Sequence, residues 1–63
     1  MGEKLKTRRK ELGLTQEELA AKSRVSRQTI VSIENGSGGD VLIGTLTAIA
    51  DALEIPIEYF FMP

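Results

Sequence analysis

Residues 15–34 read TQEELAAKSRVSRQTIVSIE, and this stretch decides the fold. It contains two short helical patterns separated by a tight turn, and a hydroxyl residue opens each one. Thr15-Gln16-Glu17-Glu18 has the spacing of a capping box, in which the Thr15 hydroxyl takes a free amide at the third position and Glu18 reaches back. Leu19 and Ala20 are the inward residues of this first pattern, and Ser23-Arg24-Val25 is the turn. Ser26 caps the second pattern. Its Ile30 and Ile33 lie three apart on the face turned to a core, and Asn35-Gly36 ends it.

Working outward, the spacing predicts a first helix over residues 2–12. Leu5 and Leu12 share a face, and Gly13 ends the helix in a left-handed conformation. Residues 37–40, Ser-Gly-Gly-Asp, form a loop without an apolar anchor. A helix over residues 43–53 carries Leu46, Ile49, Ala50 and Leu53 at i, i+3, i+4 and i+7. Pro56 fits the start of a fifth, short helix over residues 56–61. No segment alternates long enough for a strand, since Ile55-Pro56-Ile57 is interrupted by its proline. The expectation is all-α: a five-helix bundle in one domain, residues 1–63.

A chain of 63 residues buries only about 60% of its unfolded surface, so its stability is marginal. Cysteine and histidine are both absent, which removes disulfides, thiolate metal sites and the commonest general base. Gly36, Gly38 and Gly39 match neither the P-loop nor the dinucleotide pattern. No acid pair has a reason for a shifted pKa, and Glu17, Glu18 and Glu58 read as solvated helix charges. An enzyme is not expected, nor a metal, a cofactor or a small-molecule ligand. No apolar run approaches ~20 residues and no signal-peptide pattern is present, so a cytoplasmic protein without a membrane span is expected.

The net charge of −1 hides an asymmetry. Residues 1–35 hold all eight basic residues against five acids, a net +3, while residues 36–63 hold four acids and no base, a net −4. The split suggests one face for an anionic partner and another turned away from it.

A helix that reads DNA presents short polar or forked side chains near its N-terminus while its other face is held by a scaffold. The helix opened by Ser26 meets this requirement. Ile30 and Ile33 anchor it, leaving Arg27, Gln28, Val31 and Ser32 on the other faces. Arg27 can fork onto O6 and N7 of guanine, and Gln28 can pair with adenine. Ser32 lies one turn further on. Val31 fits the edge of the core better than a thymine methyl. Gln16, in the first turn of the preceding helix, is the natural phosphate contact, because free amides and the positive dipole end gather there.

Leu12-Gly13-Leu14-Thr15-Gln16-Glu17-Glu18-Leu19-Ala20, then Val25-Ser26-Arg27-Gln28-Thr29-Ile30 and Ile33-Glu34-Asn35-Gly36, resembles the helix-turn-helix of the Cro and phage-repressor family, also called the XRE family. Thr45-Leu46, Ile49-Ala50-Asp51-Ala52-Leu53, Ile55 and Phe60 resemble that family's fourth and fifth helices. The resemblance implies a third helix in the major groove, with base contacts by Arg27, Gln28 and Ser32. Phosphate contacts are expected from Thr15, Gln16, Thr29 and Asn35, the last through the backbone near it. The resemblance also implies that Arg9 stands beside Glu34, joining first and third helices, so Glu34 is structural. A transcriptional regulator, a repressor, follows from the resemblance; the alternative is an antitoxin-type protein-interaction module acting through the C-terminal half.

Three departures from the family pattern stand out. Arg24 occupies a turn position that is usually glycine, where φ > 0 would hold strain of order 1 kcal/mol. Glu54 replaces a frequent glycine after the fourth helix. The loop after Asn35 lacks the usual bases and looks one residue longer, so fewer phosphate contacts and a shallow salt dependence are expected. Beyond these, Ile55, Ile57, Tyr59, Phe60, Phe61 and Met62 crowd into eight residues. Phe60 is expected to plug the core, leaving Ile57, Phe61 and Met62 as a two-fold dimer patch. A dimer would set two recognition helices about one DNA turn apart on a two-fold symmetric operator of double-stranded DNA.

Overall fold

The structure, a computed structural model, describes residues 1–37 and 41–63. Four α-helices form: α1 (Gly2–Glu11), α2 (Gln16–Ser23), α3 (Arg27–Glu34) and α4 (Ile43–Ala52), followed by a 3-10 helix at Ile57–Phe61. Among the described residues there is no strand and no helix long and apolar enough to cross a membrane. From residue 38 to residue 40, the expected loop lies outside the described residues.

The fifth helix is a correction: it is 3-10, not α. Pro56 is its N-cap, with an extended ψ of 150°, rather than its first helical residue. Its short ladder runs from Tyr59 N–H to the Pro56 carbonyl at 3.0 Å. Five residues cannot support a run of i→i−4 bonds, and the tighter i→i+3 turn satisfies the chain end instead. Leu12 and Leu53, expected inside their helices, are the C-caps of α1 and α4.

The helix ends follow local chemistry. At α2, the Glu18 amide donates to Thr15 Oγ1 at 3.0 Å and the Thr15 amide to Glu18 Oε1 at 2.9 Å, the complete capping box. At α3, the Thr29 amide donates to Ser26 Oγ at 3.2 Å. Three C-termini close with the paired bonds of a Schellman motif. At α1 the Gly13 amide reaches the Lys10 carbonyl and the Leu14 amide the Arg9 carbonyl, with Gly13 at φ 70°. Gly36 and Ser37 do the same for α3, and Glu54 and Ile55 for α4.

The turn between α2 and α3 closes differently. Arg24 adopts φ 60° and ψ 28°, as the missing glycine requires. The buried Ser23 hydroxyl donates to the Leu19 carbonyl at 2.8 Å and accepts from the Val25 amide at 3.3 Å. Glu54 also sits at φ 60°. A left-handed side-chain-bearing residue costs about 1–2 kcal/mol, and glycine's extra chain entropy returns about half of that on substitution. Arg24→Gly should therefore stabilise the domain by about 0.5–1 kcal/mol, read as a higher midpoint in urea; an unchanged or lowered midpoint would refute the strain.

Leu5, Leu19, Ile30, Ile49 and Leu53 are fully buried, joined in the core by Ile33, Leu46, Ala50, Ala52 and Phe60. The helix-turn-helix pair α2 and α3 pack on each other; α4 backs α2, and α1 backs α3. The 3-10 helix closes the far side against α1 and α4. At Gly2, α1 and α3 approach so closely that a Cβ would collide with the Ile33 carbonyl oxygen.

Candidate nucleic-acid interface

With Ile30 and Ile33 sealed in the core, α3 leaves Arg27 and Gln28 exposed on its first turn and Ser32 half-buried a turn later. Gln28, Thr29 and Ser32 line one surface depression together with Ile33 and Ser37. Arg27 lies outside that lining, at the opening of the helix. Val31 is half-buried at the edge of the core. The Thr29 hydroxyl lies 2.8 Å from Ser26 Oγ, so it is shared with the cap.

Thr15 is likewise occupied in its capping box. Gln16 is held more tightly than its spacing reveals: its Nε2 donates to Glu34 Oε1 at 3.1 Å. That leaves its second N–H, alongside the first amides of α2, which precede any i−4 carbonyl of their own helix. At the end of α3, the amides of Asn35, Gly36 and Ser37 donate to Val31, Ile33 and Ser32 carbonyls. The backbone amides at the expected Asn35 contact are thus engaged within the chain, while the Asn35 side chain is exposed.

Glu34 anchors this end of the site. Arg9 Nε donates to its Oε2 at 2.7 Å and Arg9 Nη2 to its Oε1 at 3.1 Å, while Arg9 Nη1 donates to the Leu14 carbonyl at 2.7 Å. Both side chains are withdrawn from solvent, 9% and 3% exposed. Burial pushes the Glu34 carboxyl up, but hydrogen bonds from Arg9 and Gln16 and the charges of Arg9 and Lys6 together outweigh it. The carboxyl is held below its ordinary value and stays ionised.

The two charge-divided halves of the chain are tied together by several of the bases. Lys4 Nζ donates to the Tyr59 and Met62 carbonyls and lies 5.4 Å from the Tyr59 ring centroid. Arg8 Nε donates to the Leu53 carbonyl at 3.0 Å, and Lys22 Nζ stands 3.7 Å from Glu54. With Arg9, half of the eight bases tie distant parts of the chain together. The i, i+4 spacing of Lys4 and Arg8 is the one signal in the residues; their acceptors, carbonyls at the end of α4 and near the chain end, are fixed by the fold. Among the described residues Lys6, Lys10, Arg24 and Arg27 form no ion pair.

Of the expected dimer patch, Phe61 and Met62 are exposed at 60% and 51%. Ile57 is half-buried and packs against the core. Leu42 and Ile43, at the start of α4 where no side chain caps the helix, are exposed as well, a feature that residue spacing does not single out. Among the described residues no group of three or more potential metal ligands occurs.

The helix-turn-helix family pattern matches residues 5–60. An uncharacterized HTH-type transcriptional regulator of Methanothermobacter thermautotrophicus is 54% identical over 39 residues, covering 62% of this chain and 56% of that protein. The HTH-type transcriptional repressor RghR of Bacillus subtilis is 44% identical over 57 residues, covering 90% of this chain and 42% of that protein. The chain thus spans about half the length of these curated relatives. With two capped helices joined at a left-handed Arg24, a buried Arg9–Glu34 tether and a match running through nearly the whole sequence, the chain belongs to the XRE-type helix-turn-helix family.

Proposed function

We propose that the protein is a sequence-specific double-stranded DNA-binding regulator, a repressor, whose α3 enters the major groove. The observation that carries this reading is a short helix locked by Ile30 and Ile33 that leaves Arg27 and Gln28 exposed on its first turn. Arg27, Gln28 and Ser32 read base edges; Gln16, Thr15, Thr29 and Asn35 position the backbone of the duplex. The names of the relatives, a transcriptional regulator and a repressor, support the same class. A two-fold dimer through the exposed Phe61 and Met62 places two such helices on a symmetric operator.

Selection of bound duplexes from random DNA tests this directly, and enrichment of a two-fold symmetric site is the expected result. On the selected site, Arg27→Ala should cost about 1–3 kcal/mol and relax specificity at one base position. Gln16→Ala should weaken binding to all sequences alike. It also removes a hydrogen bond to Glu34, so the melting of the free protein is measured beside it. Equal losses on selected and random duplexes for both variants would contradict the division of roles.

A further inference from the structure

Gly2, Lys6 and Arg9 fall at i, i+4 and i+7 along one face of α1. Both ends of that row meet the last turn of α3: Gly2 approaches the Ile33 and Glu34 carbonyls, and Arg9 grips the Glu34 carboxylate. Lys6, half-buried, therefore stands against the same turn, and its charge helps hold the Glu34 carboxyl down. Yet among the described residues no carboxylate lies within 4.0 Å of its ammonium, and it donates no hydrogen bond. Glu34 is already served by three N–H donors, two from Arg9 and one from Gln16.

Lys6 and Gln16 thus flank one saturated carboxylate from two different helices. The remaining charge of Lys6 is free for an anion beside the start of α2, where unpaired amides already favour one. The loop between α3 and α4 contributes no base, its residues 37–40 being Ser-Gly-Gly-Asp. We infer that Lys6 is a further phosphate contact of the DNA, supplied by α1 and standing in for the cations that the loop lacks. The inference rests on the proposed DNA-binding reading.

Binding of the full chain to its selected duplex and to a random-sequence duplex, titrated across salt concentration by fluorescence anisotropy, separates the two. For Lys6→Gln the slope of log affinity against log salt should become shallower by about 0.9 per bound protomer on both duplexes. The melting temperature of the free protein should fall only slightly, because Lys6 is the smallest of the influences that hold the Glu34 carboxyl down, and Lys6→Arg should keep the wild-type slope. An unchanged slope for Lys6→Gln overturns the inference. If the melting temperature falls steeply while the slope stays unchanged, Lys6 serves only the C-terminal carbonyls of α3, whose own last turn has no basic residue. Wild-type protein that binds neither duplex overturns the DNA reading itself, and the Lys6 contact with it.

Discussion

Arg9→Ala should lower the stability of the domain by about 3–5 kcal/mol, because it strands a buried carboxylate. A core of this size supplies about 3–5 kcal/mol in all, so the variant should be largely unfolded at room temperature. Far-ultraviolet circular dichroism and urea titration read the loss. Glu34→Ala should behave alike, leaving the Arg9 guanidinium with only the Leu14 carbonyl. The double variant Arg9→Met with Glu34→Leu should be more stable than either single variant, since no charge is left stranded. It should remain below wild type, because the Leu14 carbonyl loses its donor and Gln16 its acceptor. A single variant that melts like wild type would show that the pair contributes nothing.

Acid should reproduce part of the same loss. The folded Glu34 carboxyl titrates below its ordinary value of 4.5. Its contribution is therefore complete above that pH and is lost as pH falls through the lower, folded value. Wild-type stability should drop more steeply than that of the double variant below about pH 4.5. Parallel curves would remove Glu34 from the acid response.

Phe60→Ala should cost about 3–5 kcal/mol, while Phe61→Ala, one residue later, should change protomer stability by no more than about 0.5 kcal/mol. Phe60 is 4% exposed and Phe61 60% exposed, so adjacent aromatics separate packing from surface. Phe60 also fixes the 3-10 helix whose Tyr59 carbonyl, with that of Met62, accepts from Lys4. Its loss should free the chain end together with the core. Phe61 is expected to act on association instead: sedimentation should show a dimer for the wild type and a monomer for Phe61→Ser. Wild type that sediments as a monomer at high concentration would end the dimer proposal.

Much of this fold is written in short stretches of residues. Thr15, Glu18 and Ser26 announce helix starts because a cap is a contact three residues long, and Gly13 and Gly36 announce stops because a positive φ favours glycine. The stripe of Leu46, Ile49, Ala50 and Leu53 marks a core face through spacing alone. The family resemblance also flags Arg24 and Glu54, the two side-chain-bearing residues at positive φ, as places where glycine is usual. The fifth helix misled for a local reason: a proline that suits a first helical position also suits an extended N-cap, and five residues do not discriminate.

What the sequence by itself determined is therefore the four α-helices with their ends to within a residue, their buried faces and the polar face of α3. The tertiary structure decided the partners. The Arg9–Glu34 pairing came from family resemblance, but its coupling to Gln16 and the Leu14 carbonyl came only from the fold. The same holds for Lys4 and Arg8, which residue counting assigned to an anion-binding half and which instead hold the carbonyls of the acidic half. Caps and helical stripes are short-range, written within a few residues of chain. The ion pair and hydrogen bonds that link separate elements join positions 18 to 58 residues apart, and only packing brings those side chains within reach.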